Sequence, residues 1–392
     1  MRRIALLAVT AAALVLAATA AARTHAGSPI VIGWAHDSTG PMAPFDGPAL
    51  AAAQIRIAQI NAKGGVNGHQ LVIKTCDTQG DKPAVSKACA DKLISQGANV
   101  IFTTCDVDLA APAVQESINK GLLTIAPCIG TDQMGPARFG AKGALAFSFG
   151  NVAQDEGSAM AQFAWAKGWR TADLATDTVI VYFKNVVQAF AARWKQLGGK
   201  IVDQETYQDP AFHGNNVQNA VSRISSHKAD VIVTSTAGAY GALAPLITGL
   251  RTVGNDTPVL NSWAGDGVYW LPKSPKVTNY YFVTYASIFG DDPNPAVNKL
   301  AKQVHAGTGG FLGGSAAIDG LAVAINRSHG STNGATLAAT MEKFKKVPTL
   351  SGLVSFSAKL HTVFGRQYRV IEIENNVPKL VGTIVAKVVP HI

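Results

Sequence analysis

The sequence is poor in charge and in catalytic signatures. Charged residues fill 15% of its 392 positions against 47% apolar, a balance that excludes a disordered chain, because disorder needs high charge with little hydrophobicity. It has no Gly-x-Ser-x-Gly elbow, no His-Glu-x-x-His, no Walker glycine–lysine loop and no Gly-x-Gly-x-x-Gly after the first strand. The usual hydrolase, metalloprotease, NTPase and dinucleotide patterns are therefore missing. The nine histidines are dispersed, none with a companion at metal or triad spacing. Neither a metal, a cofactor nor catalysis is expected. Net charge is +9, but the basic residues are scattered. The densest cluster, Lys343, Lys345 and Lys346, reads as the solvated end of a helix, and a nucleic-acid footprint needs a clustered basic face.

What is present starts with an address. Arg2 and Arg3 precede an apolar run over 4–16 and small residues at 18–20 and 24–26, the layout of a cleaved secretory leader. Loss of Arg2, Arg3 and Arg23 would take the charge from +9 to +6. No later run is long and apolar enough to span a bilayer, which takes about 20 residues, and no cysteine near the cleavage region offers a lipid anchor. The mature chain is expected to be exported and periplasmic. All four cysteines, Cys76, Cys89, Cys105 and Cys128, fall in one N-terminal segment, which in an exported protein suggests two disulfides. Cys76 ends an expected strand with Cys89 in the following helix, while Cys105 and Cys128 follow strands expected to be neighbours. The expected pairs are Cys76–Cys89 and Cys105–Cys128. Four cysteines allow three pairings, and sequence leaves the others open.

The chain is organised around residues 30–77. An apolar strand at 30–34 leads into the loop Ser38, Thr39, Gly40, Pro41. A helix over about 47–62 follows, with Leu50, Ala53, Ile57 and Ile60 on one face. A glycine-rich break at 64–68 ends it, since glycine tolerates the left-handed C-terminal turn. A strand then runs to Cys76 and Asp77. This is a βαβ unit, implying a parallel sheet covered on both faces. The rhythm continues with strands at 100–103, 122–126 and 144–149, then restarts after Asn151 with strands at 171–176, 201–205, 231–234 and 258–260. Helices are expected at 294–306 and 315–328, and a last strand pair at 368–373 and 379–384. Two stretches are less regular. Residues 178–182 read as strand by β-propensity, and the glycines at 307–314 read as a flexible surface turn.

Thr39-Gly40-Pro41, Ile60-Asn61, the Gly64–Gly68 break and Asp77, in that order and spacing, resemble the opening of the type I periplasmic solute-binding proteins. The nearest branch is the leucine/isoleucine/valine-binding group that feeds ABC importers. The resemblance continues more weakly to the C-terminus. It implies an α/β fold of two doubly wound, Rossmann-like lobes joined by a multi-strand hinge. Residues 1–26 would be the leader, 27–149 with 286–366 lobe 1, and 150–285 with 367–392 lobe 2. It places 178–182 in a loop before a helix, and implies a monomer that hands a small-molecule ligand to a membrane permease and ATPase. A ligand sensor of the same fold without a transport role is the alternative.

In open α/β sheets ligands sit beyond the carboxyl ends of the strands. Those ends offer Ser38, Asp106, Gly130 and Thr131 in the first lobe, and Tyr182, Ala237, Tyr240, Trp263 and Asp266 in the second. The resemblance implies roles for some of them. Thr131 matches the threonine that helps hold an amino acid's carboxylate. Tyr182 matches the tyrosine that covers the ligand, though Phe183 replaces the glycine that usually follows. Asp266 is the candidate for the acidic group that takes the ammonium. Asp106 stands where binders of neutral amino acids have serine, so it would repel a carboxylate there, or else turn away and cap the helix beginning near Ala110.

Overall fold

The computed structural model describes residues 27–128, 130–208 and 216–391. The expected leader lies outside them. Among the described residues no helix is long and apolar enough to cross a membrane.

The first sheet is built by β1 (Gly27–His36), β2 (His69–Asp77), β3 (Val100–Phe102), β4 (Leu123–Ala126) and β5 (Ala146–Asn151). Three helices join its leading strands: α1 (Ala43–Asn61), α2 (Pro83–Ser95) and α3 (Val107–Asn119). A single helical turn, Pro136–Phe139, follows β4. The chain then crosses to α4 (Ala153–Ala166), β6 (Thr171–Asp177), α5 (Val181–Gln196), β7 (Lys200–Tyr207), α6 (Val217–Ile224), β8 (Val231–Ser235), α7 (Leu243–Thr252), β9 (Val259–Asn261) and β10 (Tyr280–Thr284). It returns for α8 (Pro295–Gln303), α9 (Gly310–Arg327), α10 (Gly334–Met341), the small pair β11 (Val347–Thr349) and β12 (Gly352–Val354), and β13 (Thr362–Val363). It ends on β14 (Tyr368–Glu374) and β15 (Val377–Ile384).

Two large, separate sheets result, besides the two-stranded β11–β12 pair. The first has the order β13-β5-β4-β3-β1-β2, parallel throughout. The second has the order β15-β14-β10-β9-β8-β6-β7, parallel except where β14 pairs antiparallel with β10 and β15. In each, the order reverses next to the first strand of the unit, between β1 and β3 and between β6 and β8. These are the switch points where doubly wound sheets open a crevice. The central strands of the first sheet are buried on both faces: Ile32, Trp34, Phe102, Ile125 and Phe147 on one, Ala35, Ile101 and Ala126 on the other, and Trp34 packs on Phe102 with ring centroids 5.0 Å apart.

Three segments cross between the sheets: after β5, after β10 and between β13 and β14. Their side chains hold one another. The Asn151 amide donates to the Tyr285 hydroxyl at 3.3 Å, and Arg366 donates to the Phe149 carbonyl at 2.7 Å. The Arg366 guanidinium also lies 5.5 Å from the centre of the Tyr285 ring. Tyr285 neighbours Tyr368 with centroids 6.0 Å apart.

Two sequence expectations are corrected. Of the glycines at 307–314, Gly307 and Gly309 lie in a turn as expected, but the rest do not. From Gly310 onward they open α9, whose first turns are buried. A Cβ on Gly314 would lie 2.0 Å from the Ala49 carbonyl oxygen, and one on Gly313 2.4 Å from that of Pro127. The glycines let α9 close on α1 and β4, a packing reason that composition alone does not reveal. Nor is 178–182 a strand. β6 ends at Asp177 and α5 begins at Val181, because Val186, Val187, Phe190 and Trp194 form the buried stripe of a helix. Packing at helical spacing overrides the local β-preference. Both disulfides form as expected, Cys76–Cys89 and Cys105–Cys128.

Candidate functional site

The carboxyl ends of the two sheets face each other, and loops from both meet there. On the first lobe, Asp37 follows β1 and gathers its own loop. Its Oδ1 accepts from the amides of Thr39 (3.2 Å), Gly40 (2.8 Å) and Gly80 (3.0 Å), and its Oδ2 from that of Met42 at 3.0 Å. Asp46, on the first turn of α1, accepts from the amides of Asp37 (2.8 Å) and Cys105 (2.7 Å), tying β1 to β3. Burial raises its carboxyl well above the usual range. These are buried acids that organise loops through backbone donors, the arrangement that makes a buried carboxylate tolerable.

Ser38, an expected ligand residue, is exposed and donates its hydroxyl to Asp77 at 2.6 Å. That bond is the chief reason the Asp77 carboxyl sits below its ordinary range. Asp106 turns to its own helix. Its Oδ1 accepts from the amides of Asp108 (2.8 Å) and Leu109 (3.0 Å), capping α3, as aspartate does at helix N-termini. Asp106 is fully buried, and its Oδ2 has no partner. Burial first, then the charge of Asp108, pushes its carboxyl up to about 8. Asp106 thus takes the second of its two expected roles, the helix cap, with one oxygen left over. Gly130 and Thr131 lie against the crossovers. A Cβ on Gly130 would meet the Asn151 carbonyl at 2.5 Å. The Thr131 hydroxyl accepts from the Gln133 amide at 3.1 Å, and its carbonyl accepts from the Thr362 hydroxyl at 2.7 Å.

On the second lobe, Tyr182 is buried on α5 and donates its hydroxyl to Glu156, 2.9 Å from each carboxylate oxygen. Trp263 is stacked on Tyr285 with centroids 4.9 Å apart, and its backbone amide donates to Glu156 Oε1 at 2.5 Å. Burial raises the Glu156 carboxyl to about 8, opposed by the bonds from Trp263 and Tyr182. Ala237 and Tyr240 are buried after β8. Asp266 has both oxygens engaged: Oδ1 accepts from the Gly267 amide at 2.7 Å, and Oδ2 from the Thr284 hydroxyl at 2.8 Å and the Gly309 amide at 2.5 Å. In this arrangement three of its roughly four acceptor positions are taken by the chain itself. It ties β9 and β10 to the start of α9.

The lobes touch directly through these elements. Asp108 Oδ2 accepts the Val181 amide at the start of α5 (2.8 Å), while Oδ1 pairs with Arg138. Tyr240 donates its hydroxyl to Met42 Sδ at 3.2 Å. The Phe45 and Trp263 rings lie 4.9 Å apart, and Asn185 donates to Asp132 at 3.4 Å. Expected residues Asp106, Tyr182, Tyr240 and Trp263 therefore belong to elements that meet here, and Ser38 stays outside.

Sequence reasoning missed Glu156, Met42 and Phe45. The available signal for Glu156 was the acidic pair Asp155-Glu156 in a helix otherwise rich in small and apolar residues, since paired charges in a buried helix need a reason. A groove of about 780 Å³ between α1, α8 and α9 is a different feature. It is lined by the C-terminal halves of α1 and α9, so it lies toward the amino ends of the strands.

Two doubly wound sheets, one parallel and one parallel but for its β14–β15 edge, crossed three times by the chain and facing each other with their carboxyl ends, define a bilobed binding fold. The chain belongs to the periplasmic binding protein family, whose description matches residues 29–378. It is 24% identical over 333 residues to the Leu/Ile/Val-binding protein BraC3 of Rhizobium johnstonii, covering 83% of this chain and 87% of that one. The Leu/Ile/Val-binding protein of Escherichia coli K12 is 30% identical over 89 residues, 23% of this chain and 24% of that one. Among solved structures, LivJ of Streptococcus pneumoniae in complex with isoleucine superposes with a TM-score of 0.75 at 19% identity, covering 91% of this chain and 99% of that one. A Rhodopseudomonas palustris solute-binding protein in complex with 3,4-dihydroxybenzoic acid gives 0.74 at 16% identity, covering 93% and 99%. These relatives are binding proteins, not enzymes.

Proposed function

We propose that the protein is the extracytoplasmic solute-binding component of an ABC importer. It captures a small polar solute, an amino acid or related compound, between lobe 1 (27–149 with 286–366) and lobe 2 (150–285 with 367–392). The observation that carries this reading is the direct meeting of the two strand-end surfaces through Asp108–Val181, Met42–Tyr240 and Phe45–Trp263. A solute bridging these surfaces favours closure by its contacts to both lobes at once. The three crossovers are the hinge about which the lobes close. A permease with its ATPase reads the closed shape of the monomer and receives the solute. Relatives crystallised with isoleucine and with an aromatic acid frame the size of solute to screen.

A thermal-shift screen of the mature chain against amino acids, aromatic acids, amines, polyols and amides tests the reading. A bound solute stabilises the native state by mass action, about 2.7 kcal/mol at a hundredfold excess over Kd. A panel without a single shift contradicts it.

A further inference from the structure

α1 and α9 lie side by side and run in the same direction. In their first halves they approach closely: a Cβ on Gly314 would lie 2.0 Å from the Ala49 carbonyl oxygen. Past that point they meet through side chains, with Arg56 Nε donating to Asp319 Oδ1 at 2.5 Å. Along this second stretch, from Ala52 and Ser315 to Lys63 and Asn326, the groove of about 780 Å³ is open. Arg56, Lys63 and Lys299 line it with one carboxylate, Asp319. Asp319 is held by Arg56, its side chain only 12% exposed, while Arg56 Nη1 donates to Gln59 at 3.1 Å. Lys63 and Lys299 are exposed and pair with no carboxylate among the described residues. The groove thus keeps an excess of positive charge. Apolar side chains, Ile55, Ile60, Val323 and Leu350, line it half-buried. The C-terminal carbonyls of α1 and α9 would oppose an anion at that end, but closing turns take several of them up. The Gly65 amide donates to the Ile60 carbonyl at 3.0 Å, and the Gly330 amide to that of Ile325 at 2.9 Å.

We propose that this groove is a second ligand site, separate from the junction of the lobes, for a small amphipathic carboxylate. Its apolar body lies against Ile55, Ile60 and Val323, and its carboxylate is received by Lys63 and Lys299. A mostly apolar concavity of about 300–1,000 Å³ with a few placed polar groups is the ordinary form of a small-molecule site. An ammonium without a partner gains a charge-assisted bond from a carboxylate, whereas a cationic ligand would reach the one acid only by displacing Arg56. Every lining residue falls within 52–66 or 296–350, inside one lobe. The groove therefore exists whether the lobes are open or closed, and this inference does not depend on the solute-receptor reading.

The test is calorimetric titration of the mature chain with octanoate, octylamine and hexaglutamate. Octanoate is expected to bind more tightly than either of the others. The double variant Lys63→Ala/Lys299→Ala removes only exposed side chains and should keep the fold. It should weaken octanoate about tenfold or more, the effect of losing one charge-assisted hydrogen bond. Ala322→Trp, which fills the groove from a half-buried lining position, should abolish binding. A circular dichroism melt confirms each fold, and if Ala322→Trp does not fold, the lysine variant decides alone. Octanoate that fails to bind, or that binds unmoved by the lysine variant, overturns the inference. In the second case it is held elsewhere, the junction of the lobes included, and the receptor reading stands. Octylamine bound as tightly as octanoate overturns it too, because the groove then does not select an anion. Hexaglutamate bound more tightly than octanoate would make the groove a dock for an acidic segment of a partner and overturn the small-ligand assignment. Scattering gives a second readout: octanoate seated here leaves the radius of gyration unchanged, whereas a fall marks closure at the junction and contradicts the assignment.

Discussion

Asp108→Ala isolates the contact on which closure rests. Asp108 is on α3 of lobe 1, with Oδ1 on Arg138 and Oδ2 on the Val181 amide of lobe 2. Arg138 belongs to the same lobe, so losing that ion pair costs the open and closed arrangements alike. Only the Val181 bond differs between them. A hydrogen bond to a charged group is worth about 1.5–3 kcal/mol, and the Asp108 side chain is 12% exposed, so little of that is lost to solvent. The lower end, about 1.5 kcal/mol, shifts the closed-to-open ratio roughly tenfold, since 1.4 kcal/mol is a factor of ten. Where the solute binds the closed form and the open form prevails without it, the apparent affinity falls in proportion to the closed population. Calorimetry should therefore give a Kd raised about tenfold for Asp108→Ala, and less for Asp108→Asn, whose side-chain oxygen still accepts. A Kd within twofold of the parent for a folded Asp108→Ala would refute the claim that this contact holds the lobes together.

Three further outcomes follow from the same structure. Replacing Cys105 and Cys128 by serine should lower stability by about 3 kcal/mol in urea melts, the chain-entropy value for a loop of their spacing, 23 residues; an unchanged midpoint contradicts it. Gly314→Val should destabilise by about 1–3 kcal/mol or more through overpacking, since its Cβ would sit 2.0 Å from the Ala49 carbonyl; a melt equal to the parent contradicts the close approach of α9 and α1. Glu156, raised to about 8 by burial, binds its proton more tightly folded than unfolded. Its stabilising share is therefore complete below the unfolded value of about 4.3 and is lost as pH climbs through about 8. Asp106 (about 8) and Asp155 (about 7) act in the same direction. Melting temperatures should fall between pH 5.5 and 8.5, less so in Glu156→Gln, and a rise would reverse the argument.

Much of the fold is legible in residues 30–77, because alternating apolar strands and one-faced helices leave a parallel sheet as the way to bury both. The observed disulfides are the expected pairing among the three that sequence leaves open, with cysteines at strand ends and on α2. The starts of α9 and α5 are not legible locally. Gly310, Gly313 and Gly314 look like a loop until Ala49 and Pro127 are brought against them, and Val179 to Val181 look like a strand until Asp108 accepts the Val181 amide. The site is legible as a place but not as a set of roles. Strand-end rules pick out Asp106, Tyr182 and Trp263, whose elements meet where the lobes touch. Which oxygen remains available depends on partners such as Gly309, 43 residues from Asp266, and Glu156, 26 residues from Tyr182. Spacing carries no record of those partners.

The central claim, that two lobes close over a solute, is tested most directly by small-angle X-ray scattering from the mature chain titrated with the solute that gives the largest thermal shift. The account predicts a radius of gyration that falls as solute is added and saturates at the calorimetric stoichiometry. A solute that binds fully while the scattering curve stays unchanged would contradict it.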